Sequence, residues 1–406
     1  MITITQLQDE YESRLIKSCK PLIVFLVNDS PGLRYGVGTY LDSIIRVFGK
    51  EKDFDFIEVL LKVSIESPHP IFELDGNIPR YIFPSNYSDD VDYYRSVCFY
   101  LICRIGQNRR IIAHCNYACQ LPLAQYLKEY TSARVVYTQH YMDWCLRYGP
   151  DYIESAPLIA QDTNAIRKFN MEKDIMSLAD TVIVSTDRAY RTISSIYGTS
   201  RSKIKVVPLS ITSMPDVRPT TTLRDKYNLK NERILLFVGR LDENKCIGDL
   251  IRAFSELKDS DIRLWIAGDG DYSSYMSMID EQNWHKTTFW GFRDRNILSE
   301  FYCIAEIGLV PSIYEEFGYV ALEMMAHGLP VIARNTSGLI EIMENGERGD
   351  LFDLKSRPKE IADKISNRLR NPFSENQREG LREYTSRRYS FDIFRNAYRQ
   401  IFESLT

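Results

Sequence analysis

No apolar run in this sequence is long enough to cross a bilayer. Runs such as Leu22–Val27 are short, whereas a membrane helix needs about 20 apolar residues. Nor does a signal peptide precede the first apolar run. The opening MITITQLQDEYESRLIKSCK is polar and reads as a short amphipathic helix, about Leu7 to Cys19. Charge of one sign is lacking too. The 51 Lys+Arg nearly balance the 55 Asp+Glu, for a net charge of -4, so nucleic acid is not an expected partner. Histidine is scarce, with 5 in the chain. Of the 8 cysteines, Cys115 and Cys119 have no second Cys or His pair at zinc-site spacing, so no metal site is expected. Free thiols of this kind fit a reducing, cytoplasmic setting. Short repeats and low-complexity tracts are absent.

What is present is the composition of a globular protein, 44% hydrophobic and 26% charged over 406 residues. That length exceeds one ordinary core and implies two domains. Short apolar runs alternate with longer helical patterns. Leu22–Val27, Ile111–His114, Val135–Gln139, Thr181–Ser185 and Lys205–Pro208 read as buried parallel strands. The second half repeats the style at Ile234–Val238, Arg263–Ala267, Thr288–Gly291, Ile307–Pro311 and Pro330–Ala333. Such alternation predicts two doubly wound α/β domains with parallel sheets. The stretch Leu209–Pro219 reads as the linker. Phe394, Tyr398, Ile401, Phe402 and Leu405 give the segment Phe391–Thr406 one apolar helical face.

The most informative stretch is PSIYEEFGYVALEMM, Pro311 to Met325. Gly318 breaks the chain just before a helix predicted to start at Tyr319. A helix N-terminus offers unpaired N–H groups and partial positive charge, and attracts phosphate. Glu315 lies just ahead of that helix and Glu323 more than a turn inside it. One element then suits a diphosphate and two hydroxyl-rich rings; its plainer reading is a capped helix. In FVGRLDENK, Arg240 follows a strand end and Lys245 comes five residues later. Ligands of doubly wound sheets bind beyond the carboxyl ends of the strands, where two cations suit a diphosphate; otherwise they are solvated loop charges. Gly268-Asp269-Gly270 reads as a tight turn. Gly36 and Gly38, in YGVG, precede a helix without the third glycine of a dinucleotide fingerprint. They permit close approach of a phosphate or sugar, or simply a turn. His140 sits past a strand's carboxyl end and His114 similarly; either is structural or functional.

With these motifs in order, the chain resembles the retaining nucleotide-sugar glycosyltransferases of GT-B fold, the large family that includes sucrose synthases and bacterial mannosyltransferases. VGRLDENK, IAGDGDY, FWGFRDR, PSIYEEFGYVALEMMAHGLPVIA and SGLIEIMENGERGDLF carry the resemblance. Two features depart from it: YGVG lacks paired glycines, and VVPLSI lacks an Asn-Gly after its proline. The resemblance implies two Rossmann-like domains facing a cleft. Residues 1–212 form the acceptor side, 213–390 bind the nucleotide-sugar, and helix 391–406 crosses back to the first domain. It implies that Arg240 and Lys245 neutralise the donor diphosphate, that Glu315 contacts the sugar hydroxyls and that Glu323 holds the ribose. Backbone N–H groups of Phe317, Gly318 and Tyr319 would meet phosphate, and Arg293 would lie beside the base. Gly38 would approach the donor and His140 the transferred sugar. The implied reaction is retaining transfer, of hexosyltransferase type, from a nucleotide diphosphate-sugar to a hydroxyl acceptor. That acceptor is by class a glycan, a lipid-linked glycan or a peptide, which leaves room for peripheral membrane association. No cofactor is expected beyond the donor itself, and with two cations and a helix dipole at the diphosphate, no metal. The alternative is a catalytically silent nucleotide-sugar-binding subunit of the same fold.

Overall fold

A computed structural model describes residues 4–29, 36–49, 51–85, 90–211 and 220–406. The chain divides into two compact units. The first comprises Met1–Trp144, Ala156–Pro208 and Asp392–Thr406; the second comprises Cys145–Ser155 and Leu209–Phe391. Each is an α/β unit built on a parallel sheet, as the strand–helix alternation predicts.

The first unit's strands are β1 (Leu22–Asn28), β2 (Asp55–Val63), β3 (Ile71–Asp75), β4 (Ile78–Pro84), β5 (Ile111–Cys115), β6 (Arg134–Thr138), β7 (Thr181–Val184) and β8 (Ile204–Val206). Their order across the sheet is β3-β4-β2-β1-β5-β6-β7-β8. All neighbours are parallel except the edge pair β3 and β4. The second unit's strands are β9 (Arg233–Val238), β10 (Ile262–Ala267), β11 (Thr287–Gly291), β12 (Ile307–Val310), β13 (Val331–Arg334) and β14 (Asp350–Phe352). They lie in the order β11-β10-β9-β12-β13-β14, all parallel. Strand order reverses beside β1 in one sheet and beside β9 in the other. At such a switch point the connections leave to opposite sides and open a crevice past the strands' carboxyl ends.

Every strand expected from an apolar run forms. Four strands were not expected: β2, β3, β4 and β14. Strand β2 carries the buried Glu58, whose charge breaks the apolar run. Arg80 of β4 answers it with an Nε–Oε2 contact of 2.6 Å, and also meets Glu73 at 3.0 Å and Asp75 at 2.7 Å. The β3–β4 hairpin turns on Gly76-Asn77, where Gly76 has φ of 62°, a left-handed conformation that favours glycine.

The division between the units falls at Pro208/Leu209, not at 212/213. Leu209 and Ile211 pack on the second unit's core, and the Ile211 N–H donates to the Tyr389 carbonyl at 2.9 Å. The rest of the expected linker, 212–219, lies outside the described residues. The C-terminal helix, Phe391–Glu403, buries Phe394, Tyr398 and Phe402 in the first unit. The Tyr398 hydroxyl donates to that of Tyr40 at 3.0 Å, and the rings of Phe402 and Phe48 are 4.7 Å apart. The opening helix, Ile4–Lys17, is tied to the same unit by Glu12, which accepts from Tyr81 and Arg104, each at 3.0 Å. No described helix is long and apolar enough to cross a membrane.

Glu172, on helix Thr163–Leu178, is buried in the first unit. It accepts from the Asp143 N–H at 3.0 Å and from the Tyr197 hydroxyl. Burial pushes its carboxyl up to about 7. A carboxyl raised on folding favours the protonated native state, so its contribution is complete below about 4.5 and fades as pH rises through about 7. Glu172→Gln should therefore flatten the dependence of the melting temperature on pH between 5 and 8. An unchanged slope would show that Glu172 does not titrate on unfolding.

Candidate functional site

Strands β9 and β12 flank the second unit's switch point, and the loops leaving their carboxyl ends meet there. After β9 the chain passes Gly239 and Arg240 and forms a short 3-10 turn, Glu243–Lys245. Asp242 shapes this loop, since its carboxylate accepts from the Lys245 N–H at 3.2 Å and contacts the Arg240 guanidinium at 3.0 Å. The loop after β12 is stapled from two sides. Asn244 donates from Nδ2 to the Tyr314 carbonyl at 3.0 Å and accepts from the Ile313 N–H at 2.9 Å. From the β13 side, the Thr336 hydroxyl donates to the Ile313 carbonyl at 2.6 Å and the Gly338 N–H to the Glu315 carbonyl at 2.8 Å. Arg334, at the end of β13, is buried; it donates to the carbonyls of Pro311 and Leu354 and pairs with Asp249 at 3.0 Å.

This framework brings Lys245 and Glu315 together. The Lys245 ammonium forms an ion pair with Glu315 Oε1, which also accepts from the Ser312 hydroxyl at 2.8 Å. The pair is sheltered, with side chains 17% and 19% exposed. Arg240 lies in the same loop and is more open, at 42%.

The Gly268-Asp269-Gly270 turn does more than end β10. The Gly239 N–H donates to the Ala267 carbonyl at 3.0 Å, and the Leu241 N–H to the Asp269 carbonyl at 2.7 Å. The ladder between β9 and β10 thus continues past both strands and fixes the backbone that carries Arg240. A Cβ at Gly268 would lie 1.7 Å from the Gly239 carbonyl oxygen, so no other residue fits.

Helix Tyr319–Ala326 begins at Gly318, whose φ of 100° is left-handed. A side chain there would also meet Leu339 Cδ2 at 2.8 Å. The Phe317 side chain is core, with its ring 5.7 Å from Tyr389 and 5.8 Å from Tyr319, so any role of Phe317 at a ligand is through its backbone. Glu323, more than a turn inside the helix, does not join the Lys245–Glu315 pair. Its Oε2 accepts from the Tyr302 hydroxyl at 3.0 Å. Burial pushes its carboxyl above the usual range, against the pull of that hydroxyl and of the Arg295 charge. Arg293 extends from the loop after β11 over the Trp290 ring, 5.8 Å from its centroid.

The second unit carries two Asp-x-Asp pairs, the residue pattern that can hold a metal beside a diphosphate, at 259–261 and 269–271. Asp259 and Asp261 both face Arg233, at 3.8 and 2.8 Å. Asp269 accepts from the Tyr272 hydroxyl at 3.0 Å, and Asp271 caps helix Tyr272–Met276 by accepting from the Ser274 N–H at 3.1 Å. These carboxylates are engaged in holding local structure.

The two remaining candidates belong to the first unit. Gly36 and Gly38 do not precede a helix: they form the first turn of helix Gly36–Phe48. The loop ahead of it, 30–35, lies outside the described residues. His140 follows the carboxyl end of β6, half-buried. Its Nε2 is 3.0 Å from Asn116 Oδ1, and the Tyr40 ring meets it edge-on at 4.6 Å. Burial lowers its imidazole to about 3, so it is neutral. His114 is fully buried, 2.8 Å from the Thr138 hydroxyl and 3.2 Å from that of Tyr40, which makes it a core residue.

Residues 219–388 match the glycosyl transferases group 1 family. The match falls within the second unit. An uncharacterized glycosyltransferase of Methanocaldococcus jannaschii is 35% identical over 167 residues, 39% of this chain and 43% of that protein. The chain spans about half the length of the curated relatives it matches. Sucrose-phosphate synthase from Thermosynechococcus elongatus superposes with a TM-score of 0.77 at 21% identity, covering 95% of this chain and 99% of that one. Anabaena HepE, solved in complex with UDP and glucose, gives 0.71 at 18% identity, with 94% and 99% covered. These structures share the fold, which is of the GT-B class expected from the sequence.

Sequence reasoning singled out Arg240, Lys245, Glu315 and Glu323 but not their partners Asp242, Ser312 and Tyr302, nor Asn116. Only Asp242 had a local signal, as an Asp three residues before the N–H it caps. Gly268→Ala should lower stability by roughly 3 kcal/mol or more, through overpacking and backbone strain together. Urea unfolding measures this, and a variant as stable as the native protein would contradict the close approach to Gly239.

Proposed function

We propose that this protein is a retaining glycosyltransferase. It moves a sugar from a nucleotide diphosphate donor to a hydroxyl acceptor, which is a glycan, a lipid-linked glycan or a peptide, without a metal and in the cytoplasm. The observation that carries the reading is the sheltered Lys245–Glu315 pair, formed by the loops leaving the second unit's switch point. Glycosyl transfer must stabilise the negative charge that grows on the β-phosphate as the glycosidic bond breaks. Lys245, Arg240 and the helix N-terminus at Gly318 supply positive charge for that. Glu315 holds the sugar hydroxyls and, until the donor enters, neutralises Lys245. Glu323 accepts from the ribose on Oε1 while Tyr302 occupies Oε2. Backbone N–H groups of Phe317, Gly318 and Tyr319 meet phosphate, Arg293 lies beside the base, and Gly38 and His140 serve from the first unit. The relatives' names and the UDP and glucose bound to HepE support a nucleotide-sugar donor and make uridine donors the first to test.

A panel of nucleotide-sugars, assayed for nucleotide release with hydroxyl acceptors present, tests the reading. Release should persist in excess EDTA. It should fall on the order of a hundredfold in Lys245→Ala, as for loss of one transition-state contact. Activity abolished by EDTA and restored by magnesium or manganese would overturn metal independence. Failure of every donor would overturn transfer itself.

The two glutamates separate by titration with the bare nucleoside diphosphate. Glu323→Gln should bind it more weakly by roughly 1.5–3 kcal/mol, the worth of a charged hydrogen bond. Glu315→Gln frees Lys245 and should bind it at least as tightly as the native protein, while turning over the full donor more slowly. Equal losses of affinity in both would mean that the roles are wrongly divided.

A further inference from the structure

We propose that Asn116 is a positioning residue that locks His140 in its Nε2–H tautomer, so that Nδ1 is presented as a hydrogen-bond acceptor for a substrate hydroxyl. The hydroxyl rests on the reading of His140 as the residue that meets the transferred sugar; the tautomer does not. Asn116 follows β5 and is 2% exposed, at the first unit's switch point between β1 and β5. Its Nδ2 donates to the Leu26 carbonyl of β1 at 2.8 Å. A carbonyl can only accept, so the amide has one satisfactory orientation, with Oδ1 turned away from Leu26. That oxygen lies 3.0 Å from His140 Nε2. It too can only accept, so Nε2 must carry a proton, and in a neutral imidazole Nδ1 then holds a lone pair. Nδ1 makes no hydrogen bond among the described residues.

The arrangement is braced from behind. Gln120, fully buried, accepts on Oε1 from the Asn116 N–H at 2.7 Å and donates from Nε2 to Asn28 Oδ1 at 2.7 Å. Asn28 ends β1. A continuous chain, Asn28–Gln120–Asn116–His140, therefore links the carboxyl ends of β1, β5 and β6. On its other side His140 meets the Tyr40 ring, whose hydroxyl is held by Tyr398 at 3.0 Å and Thr138 at 3.1 Å. A buried polar chain with every link satisfied fixes orientation as well as position. A hydroxyl meeting Nδ1 must donate to it, which suits a sugar O–H and excludes a group that only accepts.

Two-bond proton–nitrogen correlation spectra of protein labelled at histidine nitrogens read the tautomer directly, with His140 assigned by comparison with His140→Gln. The native protein should show a protonated Nε2 and an unprotonated Nδ1. Asn116→Ala should lose this preference and turn over about tenfold more slowly or worse, as when other outer partners of functional imidazoles are removed. A native spectrum with the proton on Nδ1 overturns the proposal, even if Asn116→Ala does not fold. An unchanged tautomer in a folded Asn116→Ala overturns it as well. The spectra need no donor, so a wrong tautomer defeats this proposal alone, and absence of transfer from every nucleotide-sugar defeats the functional reading alone.

Discussion

The Lys245–Glu315 ion pair is the interaction around which the second unit's carboxyl edge is arranged. A sheltered charge left without a partner is strongly destabilising, because it has given up water without recompense. Both members must therefore be placed together, though they lie on loops 70 residues apart in sequence. Loops hold a position only when their backbone is hydrogen-bonded. That accounts for Asn244, Thr336 and Gly338 gripping the segment Ile313–Glu315, for Asp242 capping the turn at Lys245, and for the buried Arg334 tying Pro311 to Asp249. The glycines at 239 and 268 extend the same control to Arg240.

The two units meet one problem with different chemistry. In both, the strands beside the switch point bring their carboxyl ends close and gather polar groups there. In the second unit the groups are ions: Arg240, Lys245, Glu315 and, deeper, Glu323. In the first they are amides and a neutral imidazole: Asn28, Gln120, Asn116 and His140. Ions suit a partner with charge of its own, such as a diphosphate. Amides and neutral rings offer directional hydrogen bonds without a field, which suits hydroxyls.

How much was legible in the sequence follows from the range of each interaction. Buried parallel strands are apolar on both faces, so β1 or β9 stands out as a run of six or so residues. Strand β2 does not, because Glu58 sits in its middle and its partner Arg80 is two strands away in sequence. The β3–β4 hairpin has a local turn signal in Asp75-Gly76-Asn77, but its strands are short and lie at the sheet edge, so no buried apolar run marks them. Within the site, Lys245, Glu315, Gly318 and Glu323 were found because strand ends and a helix start mark their places locally. Tyr302 and Asn116 were not, since each acts on a residue more than 20 positions away and nothing in a linear pattern couples them.

The C-terminal helix has a consequence for the order in which the protein is made. Phe394, Tyr398 and Phe402 complete the core around Tyr40, Phe48 and His114, residues synthesised hundreds of positions earlier. Chains generally fold as they emerge, domain by domain. Here the earlier unit leaves the ribosome with an apolar trough open over Tyr40 and Phe48, and it stays open throughout synthesis of the second unit. Closing so long a loop is entropically costly but only logarithmically so, and slow folding is the usual result of such distant contacts.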